Sequence, residues 1–328
     1  MSHNRATPTL QDVAEAAGVS TATVSRCLNF PDVVSPGTRE RVSKAVADLG
    51  YSPNFGAKVM AAKRTNTIGA IIPTMDNAIF ARGLQAFQEE LRQHGYTMLV
   101  ASTSYQPNIE EEQIKALVAR GADALLLIGH ARTPEVYDFL ATQDVPALVT
   151  WAFDPSAARP SVGFNNKAAM HALASEVLRL GHSRLAFITA PAKHNDRASE
   201  RLAGIQQAMR ENELGLEMLK ITEAHYSIDH GSACFEELMK GGSPPTAILC
   251  GNDVLAVGAL RAAQNMQIKV PADISIVGFD DIELAQIAYP ALSTVHVPHT
   301  DMGRQAARAL VGLLRDGTPI APVELPTK

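Results

Sequence analysis

The chain has 328 residues, which is more than one typical domain, so we expect two or three domains. Hydrophobic residues make up 46% of it and charged residues 19%, an ordinary globular composition with enough apolar material for sizeable cores. The net charge of −5 by itself argues against binding to nucleic acid, but residues 1–66 carry eight Lys or Arg against five Asp or Glu. A small nucleic-acid-binding head on an acidic body would have this distribution.

The three cysteines, Cys27, Cys234 and Cys250, lie in apolar contexts without metal-like spacing. We therefore expect buried free thiols and no bound metal, which fits a reducing compartment. The first residues, MSHNRATPTL, lack the apolar core of a signal peptide, and no apolar run approaches the roughly 20 residues that span a bilayer. The expectation is a soluble cytoplasmic protein that does not contact membranes.

The stretch TLQDVAEAAGVSTATVSRCLN predicts two short helices joined by a tight turn. Thr9 and Asp12 have the spacing at which a hydroxyl and a carboxylate cap a helix reciprocally. Gly18 is expected to end the first helix, because glycine enters the left-handed region without a Cβ penalty. Ser20 is then expected to cap a second helix, from about Thr21 to Leu28.

The outer face of this second helix is small and polar, with one long cation. Its inward side chains are predicted to be Val24, Cys27 and Leu28, and its outward ones Thr21, Ala22, Ser25, Arg26 and Asn29. Hydroxyls and amides suit phosphate oxygens, and Arg26 can donate to two acceptors of guanine at once. The alternative is an ordinary helical hairpin, because short helix–turn–helix patterns also occur without DNA binding.

A third helix is predicted after Ser35, with Pro36 at its first position and Gly50 at its end. The head's core is expected to close around this helix, with contributions from Leu28, Val42, Val46 and Leu49. The segment from Ser52 to Arg64 could form about two further helical turns. A helix this short is marginal in water unless something holds it.

From Thr67 onward, apolar strands alternate with helices. The predicted strands cover 68–73, 97–102, 124–129, 147–151, 184–189, 219–222, 247–251 and 274–281. Strands that are apolar on both faces indicate parallel sheets covered by helices, here in two doubly wound lobes with a cleft between them. The stretch LSTVHVP, 292–298, is predicted to be a strand returning to the first lobe, and 301–314 its closing helix.

Ligands in such folds bind beyond the carboxyl ends of the strands. The polar side chains there that could hold hydroxyl groups are Asp76, Arg201, Asn252 and Asp280, and the apolar walls could come from Phe80, Trp151 and Tyr226. Two alternatives stay open at this point. Asn252 could cap the helix that follows it, and Asp280 could be a turn residue.

Arg197 lies four residues before Arg201, and two arginines favour an anionic ligand such as a sugar acid or a phosphorylated sugar. The alternative is that Arg197 pairs with Asp196 or Glu200 at the surface. The sequence contains no G-x-G-x-x-G after a strand, no P-loop and no G-x-S-x-G. We therefore expect no enzymatic activity and no cofactor.

The head sequences TLQDVAEAAGVSTATVSRCLN and VSPGTRERVSKAVADLGYSPN resemble the amino-terminal domain of the lactose-repressor (LacI/GalR) family of bacterial regulators. The segments ERLAGI, GNDVLAVGAL and ISIVGFDDIE resemble the family's effector domain, which shares its fold with periplasmic sugar-binding proteins. The resemblance implies a helix–turn–helix DNA-binding head on a two-lobed, periplasmic-binding-protein-like α/β body. It further implies a homodimer on operator DNA, controlled by a small effector in the cleft.

The resemblance also implies roles for individual residues. Base reading falls to Thr21, Ala22 and Arg26; contacts to the DNA backbone to Thr9, Thr23, Ser25 and Asn29; and a minor-groove hinge to Asn54, Ala57 and Met60. The family's effector positions are matched by Arg201, Asn252 and Asp280. With the cleft residues named above, the full effector set is Asp76, Phe80, Arg197, Arg201, Tyr226, Asn252 and Asp280. The implied domains are residues 1–52, a hinge at 53–66, and a body at 67–328 with lobes of about 67–162 plus 294–328 and 163–293.

The effector's identity is less constrained. Sugar binders of the family often carry an aspartate where this chain has Trp151, whereas HGYTMLVASTSYQP and VGFNN are similar to gluconate-type repressors. We expect a repressor whose effector is a small sugar-like molecule bound in the cleft, with a sugar acid favoured over a neutral sugar. The alternatives are a corepressor-dependent regulator of purine-repressor type, or a solute-binding protein for sugars, which would leave residues 9–64 unexplained. A dimer is favoured over a tetramer, because no carboxy-terminal heptad repeat is present.

Overall fold

A computed structural model describes residues 8–52, 64–76 and 78–328. The chain divides into two compact units, Met1–Thr65 and Asn66–Lys328. The described part of the first unit contains the helices α1 (Leu10–Ala17), α2 (Thr21–Asn29) and α3 (Pro36–Leu49), with a 3-10 turn at Pro31–Val33. The predicted hinge residues Asn54, Ala57 and Met60 lie outside the described residues.

The predicted caps of the helix pair are confirmed. Thr9 Oγ1 accepts from the amide of Asp12 at 3.3 Å, and the Asp12 carboxylate accepts from the amide of Thr9 at 2.7 Å. Gly18 ends α1 with φ 63°. Ser20 Oγ accepts from the amide of Thr23 at 3.2 Å and so caps α2. These bonds satisfy amides that would otherwise be unpaired at each helix start.

The head's core differs from the prediction at the end of α3. Val24, Cys27 and Val42 are buried in it, as expected. Leu49, in contrast, is 37% exposed, and the prediction for it is wrong. The chain reverses at Gly50, where φ is 63°, and the amide of Tyr51 donates back to Val46. This reversal carries the larger Tyr51 ring into the core, so it fills the space that the sequence pattern assigned to Leu49.

The first lobe is built on a six-stranded parallel sheet with the strand order β11-β5-β4-β3-β1-β2. Its strands are β1 (Thr67–Ile72), β2 (Thr97–Ser102), β3 (Ala124–Ile128), β4 (Ala147–Thr150), β5 (Ser161–Gly163) and β11 (Val323–Glu324). Its helices are α4 (Ala78–Gln93), α5 (Pro107–Ala119), α6 (Pro134–Thr142) and α12 (His299–Asp316). Buried side chains line both sheet faces, as the apolar strands predicted.

The second lobe is built on a five-stranded parallel sheet with the order β10-β9-β8-β6-β7. Its strands are β6 (Leu185–Thr189), β7 (Leu219–Glu223), β8 (Ala247–Cys250), β9 (Ser275–Asp280) and β10 (Ser293–His296). Its helices are α7 (Asn166–Arg179), α8 (Asp196–Glu211), α9 (Ile228–Met239), α10 (Asp253–Asn265) and α11 (Glu283–Ile287), with a 3-10 turn at Leu216–Met218. The predicted doubly wound plan of two lobes is confirmed.

The strand β10 belongs to the second lobe and not, as the sequence predicted, to the first. The stretch 292–298 was predicted to return to the first lobe, but β10 pairs with β9 along Ser293↔Val277 to His296↔Asp280, so this prediction is wrong. The hydroxyl of Thr294 holds it there by donating to the carboxylate of Asp253 at 2.6 Å. The chain returns to the first lobe one segment later, through α12.

Three segments connect the lobes. They run from β5 to α7, from β10 to α12, and from β11 to the last residues, where Lys328 and His296 exchange backbone hydrogen bonds of 2.8 and 3.2 Å. Within residues 8–52, 64–76 and 78–328, no helix has both the length and the apolarity needed to cross a membrane. The same residues hold no group of three or more His, Cys, Asp or Glu side chains that could bind a metal ion. All three cysteines are buried free thiols, as predicted.

Candidate functional site

The outer face of α2 presents the side chains expected to read bases. Thr21, Ala22 and Arg26 are exposed, whereas Thr23 and Ser25 are partly buried. No acidic residue lies in the first turn of this helix. The face is therefore open to a polyanion, and Arg26 is its basic residue in the last turn.

Four candidates for phosphate contacts already hold local bonds. Thr9 Oγ1 donates to the Asp12 carboxylate at 2.7 Å, and Thr23 Oγ1 lies 3.0 Å from Ser20 Oγ. Asn29 Nδ2 donates to the carbonyl of Ser25 at 3.0 Å and lies 3.4 Å from its hydroxyl. Each of these side chains thus stabilises the helix pair, and any bond to phosphate must add to or replace these contacts.

In the second lobe, the carboxyl ends of three neighbouring strands bring polar side chains to one edge of the sheet. Thr189 ends β6, Asn252 follows β8, and Asp280 ends β9. All three residues are at most 1% exposed. Thr189 Oγ1, Asn252 Nδ2 and both carboxylate oxygens of Asp280 have no hydrogen-bond partner among the described residues. Buried polar atoms are nearly always paired, so this edge is chemically equipped for a ligand.

Arg201 reaches this edge from α8 and is 5% exposed. Its Nε donates to Asn166 Oδ1 at 2.9 Å, and its Nη1 donates to the carbonyl of Gly251. The guanidinium carbon lies 3.8 Å from the centroid of the Phe279 ring, a cation–π contact. Burial raises the pKa of the Asp280 carboxyl well above its usual range, against the opposing effect of Arg201.

The alternative that Asn252 caps a helix is confirmed, whereas Asp280 ends a strand and is not in an assigned turn. Asn252 Oδ1 caps α10 by accepting from the amide of Leu255 at 2.9 Å. Asp280, the last residue of β9, has φ 106°, and the following Asp281 has φ 54°, so the backbone is left-handed where the strand ends. Neither feature uses the unpaired atoms named above, because the cap engages only Oδ1 and the left-handed strand end only the backbone.

Arg197 joins the two lobes. It pairs with Asp196 at 3.0 Å, and its Nη1 donates to the carbonyl of Ile128 in the first lobe at 3.1 Å. Asp196 in turn accepts from the amide of His130 at 2.5 Å. The expected alternative pairing with Asp196 is confirmed, but its expected surface position is wrong, because the Arg197 side chain is only 11% exposed. The lobes meet here in a polar contact.

Two pairs of aromatic rings lie at the predicted cleft, the first across the lobes and the second within the first lobe. The rings of Tyr105 and Tyr226 lie 5.8 Å apart, and those of Phe80 and Trp151 lie 5.3 Å apart edge to face. Asp76 is exposed, and the structure does not place it with the buried polar set. Tyr105 was not predicted, although it follows the carboxyl end of β2, the same kind of position that identified the other candidates.

His299 was also not predicted. It is 3% exposed, accepts from Trp151 Nε1 at Nδ1 over 3.2 Å, and lies 3.2 Å from the carbonyl of Asp280 at Nε2. Because the indole N–H can only donate, Nδ1 is the acceptor and Nε2 carries the proton. Burial lowers the pKa of His299 to about 4, so the ring is neutral at pH 7. His299 lies at the start of α12 and not directly after a predicted strand, so the strand-end rule that identified the other candidates did not find it.

Comparison with known proteins supports the same two parts. The family model of bacterial regulatory proteins of the lacI family matches residues 9–54, and that of a periplasmic binding protein-like domain matches residues 174–328. The HTH-type transcriptional repressor CytR of Escherichia coli K12 is 33% identical over 304 residues, which cover 92% of this chain and 89% of that protein.

Two solved structures are similar over almost the whole chain. The lac repressor dimer bound to operator and the anti-inducer ONPF has a TM-score of 0.86 and 27% identity, covering 98% of this chain and 97% of that one. The complex of the transcriptional regulator CelR with cellobiose has a TM-score of 0.69 and 28% identity, covering 98% of both chains.

Proposed function

Since this chain belongs to the LacI family of bacterial regulatory proteins, we propose that a small, hydroxyl-rich, sugar-like effector held at Arg201, Asn252 and Asp280 sets its affinity for operator DNA. The protein is a DNA-binding transcriptional repressor with an effector-binding body, and its partners are operator DNA, a small effector and a second copy of itself. The family consists of DNA-binding regulators, and we propose that this member catalyses no reaction and acts in the cytoplasm, where operator DNA lies.

The observation that carries the effector proposal is the set of unpaired polar atoms at the edge of the second sheet. The two oxygens of Asp280 can accept from hydroxyl groups, Asn252 Nδ2 can donate to one, and Thr189 Oγ1 can do either. Neighbouring hydroxyls of a sugar both donate and accept, so one diol can satisfy several of these atoms together. Nearby rings, including Tyr226, can pack against the apolar faces of a sugar.

The charges in the cleft favour a neutral sugar over a sugar acid. Arg197 pairs with Asp196, and Arg201 lies beside Asp280, so each cation has a carboxylate next to it. Burial already raises the pKa of the Asp280 carboxyl, so this edge disfavours negative charge, and an acidic ligand would add more of it. We therefore rank neutral sugars first and keep the sugar acids, which the two arginines alone would favour, as the second class to be tested.

For the DNA side we propose the roles that the family pattern implies. Thr21, Ala22 and Arg26 read bases, and the side chains that bond backbone phosphates are Thr9, Thr23, Ser25 and Asn29. Asn54, Ala57 and Met60 form the minor-groove hinge, with Met60 as the apolar wedge. Residues 1–52 then form the head, 53–66 the hinge and 67–328 the body, with β10 assigned to the second lobe.

The effector proposal is tested by fluorescence anisotropy of the full chain on DNA from upstream of its own gene, at fixed salt. Neutral sugars such as ribose and cellobiose are titrated first, and gluconate and related sugar acids second. Weaker operator binding identifies an inducer, and tighter binding identifies a corepressor, as the purine-repressor alternative requires. We expect a response to a neutral sugar, and a response confined to the acids would reverse the ranking.

A matched pair of variants ties any response to the cleft. Asp280→Asn should reduce the sugar response at least tenfold, because it replaces an accepting oxygen with a donor where the ligand hydroxyls would bind. Asp229→Asn removes a carboxylate that is 88% exposed in the same lobe and should leave the response intact. An unchanged dose response in Asp280→Asn would remove this edge of the sheet from the effector site.

A further inference from the structure

Trp151 is the single tryptophan of the chain and lies where β4 ends and the lobes join. It is 2% exposed and has φ 58°, a left-handed conformation that is rare for a bulky residue. Both of its backbone groups are engaged. Its amide donates to Met302 Sδ at 3.3 Å, and its carbonyl accepts from Asn166 Nδ2 at 2.9 Å. The surroundings therefore hold the residue in a costly conformation.

The indole ring is packed tightly against the helices of the first lobe. A Cβ added to Gly83 of α4 would lie 2.5 Å from Cη2 of the indole, so only a glycine fits beneath it. A Cβ added to Gly303 of α12 would lie 2.0 Å from the carbonyl oxygen of Gly83, so the two helices touch at this point. Because interiors are close-packed, a shift of the indole must be passed on to α4 and α12.

Two separate side-chain connections lead from Trp151 to the proposed effector residues. On one side, Trp151 Nε1 donates to His299 Nδ1, and His299 Nε2 donates to the carbonyl of Asp280, each over 3.2 Å. On the other side, Asn166 bridges the Trp151 carbonyl to Nε of Arg201 with two bonds of 2.9 Å. Asp280 and Arg201 are therefore each one side chain away from the same tryptophan.

Asp280 can connect a ligand bound at its carboxylate with His299, which contacts its backbone carbonyl. Its carboxylate oxygens are unpaired among the described residues, and its backbone has φ 106°, a strained conformation for a residue other than glycine. In the coupling inferred below, a ligand that draws the carboxylate also moves the backbone of Asp280, and with it the carbonyl that His299 holds. The carboxylate and the carbonyl thus face the ligand position and the lobe junction, respectively.

We infer that His299 is a positioning residue that transmits occupancy at Asp280 to Trp151, and through Trp151 to helices α4 and α12 of the first lobe. The inference rests on the proposed effector role of Asp280 and Arg201. Asn166 is the parallel connection from Arg201. Allosteric coupling is reciprocal for binding, so the inference requires operator DNA to act on Trp151 through the same connection.

The experiment uses this reciprocity and needs no effector. Tryptophan emission of the full chain is excited at a wavelength that tyrosine does not absorb, and it is recorded before and after saturation with an operator duplex selected by the protein from random DNA. The signal comes from Trp151 alone, since the chain has no other tryptophan. We expect operator binding to shift the emission maximum of the wild type.

Variants separate transmission from general destabilisation. His299→Leu should abolish the emission shift at saturating operator, whereas His299→Gln, which retains one acceptor and one donor, should restore it. His182→Leu is the matched control, because His182 is another internal histidine of the second lobe, with bonds to Thr246 and Ser275. It should keep the shift even if it melts at a lower temperature.

Three results would overturn the inference. They are an operator-bound wild type with unchanged emission, a wild-type shift in His299→Leu, and a loss of the shift shared by His299→Gln and His182→Leu. Failure of the sugar titrations would contradict the proposed effector instead, since operator DNA is the sole ligand in this optical measurement. The two ideas can therefore fail independently.

Discussion

Arg201 and Asp280 face each other inside the second lobe, with 3.9 Å between Nη2 and Oδ1. That distance is too long for a hydrogen bond, so the pair is held by charge alone. The bonds of Arg201 go instead to the carbonyl of Gly251 and the amide oxygen of Asn166. The cation is thus satisfied by neutral acceptors, while the carboxylate keeps its oxygens for another partner.

This arrangement makes Arg201 a structural residue as well as an effector candidate. Arg201→Ala would leave a buried carboxylate without its counter-ion, so we expect the free energy of unfolding to fall by about 3–5 kcal/mol. Arg210→Ala, on the same helix but exposed, should change it by less than about 0.5 kcal/mol. Urea unfolding of the three proteins measures the difference. Equal midpoints for Arg201→Ala and the wild type would contradict the structural role.

The sequence predicted most directly the positions of those site residues that lie at the carboxyl ends of strands. Asn252 follows β8 and Asp280 ends β9, and parallel strands bring their carboxyl ends to one edge of the sheet. Arg201 was found because it lies beyond the carboxyl end of the predicted strand 184–189 and matches an effector position of the family. The positions of these residues depend on the local apolar pattern and on the parallel arrangement of the strands, and both can be predicted from the sequence.

Contacts across the lobes were not predictable in the same way. The turn of Arg197 toward Ile128 and the bond between His299 and the carbonyl of Asp280 depend on how two separately folded sheets meet. Alternating apolar residues at 292–298 suit either sheet, so the pattern could not decide which one β10 joins. The part-buried bond from Thr294 to Asp253 fixes β10 in the second lobe, and the apolar pattern does not encode this bond.

Asp253 should give the second lobe an unusual pH dependence. It is fully buried, accepts from Thr294 Oγ1 at 2.6 Å and from the Ile282 amide at 2.9 Å, and burial raises its pKa from 3.8 to about 6. Between these values the folded chain binds the proton and the unfolded chain does not. The stabilisation is therefore complete below pH 3.8 and is lost as the pH rises through 6, by about 3 kcal/mol in all.

The variant Asp253→Asn isolates this contribution. Its amide keeps one accepting oxygen but cannot titrate, so the stability of the wild type relative to the variant should grow as the pH falls from 7.5 to 4. Chemical unfolding at several pH values measures that difference, and other titrating groups cancel in the comparison. A difference that stays constant across this range would show that the Asp253 carboxyl is not perturbed.

Arg26 should carry sequence discrimination rather than general affinity. If it donates to a guanine, Arg26→Ala should lose about 1–3 kcal/mol of preference for operator over random DNA. Arg39→Ala removes another exposed arginine of the head, on α3, and should weaken binding to both DNAs alike or not at all. Anisotropy titrations on both duplexes at one salt concentration measure the ratio. Equal losses on operator and random DNA in Arg26→Ala would assign it to the phosphate backbone.

Two glycines of α12 should respond to alanine with opposite signs. Gly303 packs on α4, where an added Cβ would lie 2.0 Å from the carbonyl oxygen of Gly83, so Gly303→Ala must push two packed helices apart. We expect it to destabilise the body by about 1–3 kcal/mol or more. At Gly312 the nearest atom to an added Cβ lies 3.9 Å away, so alanine brings only its better helix propensity.

Gly312→Ala should therefore stabilise the body by about 0.5–1 kcal/mol, and thermal unfolding of the full chain distinguishes the two variants. Because the contact between Gly303 and Gly83 lies beside the indole of Trp151, Gly303→Ala should also change the tryptophan emission, whereas Gly312→Ala should not. If both variants melted above the wild type, α4 and α12 would have room to separate, and the close packing that links Trp151 to these helices would be disproved.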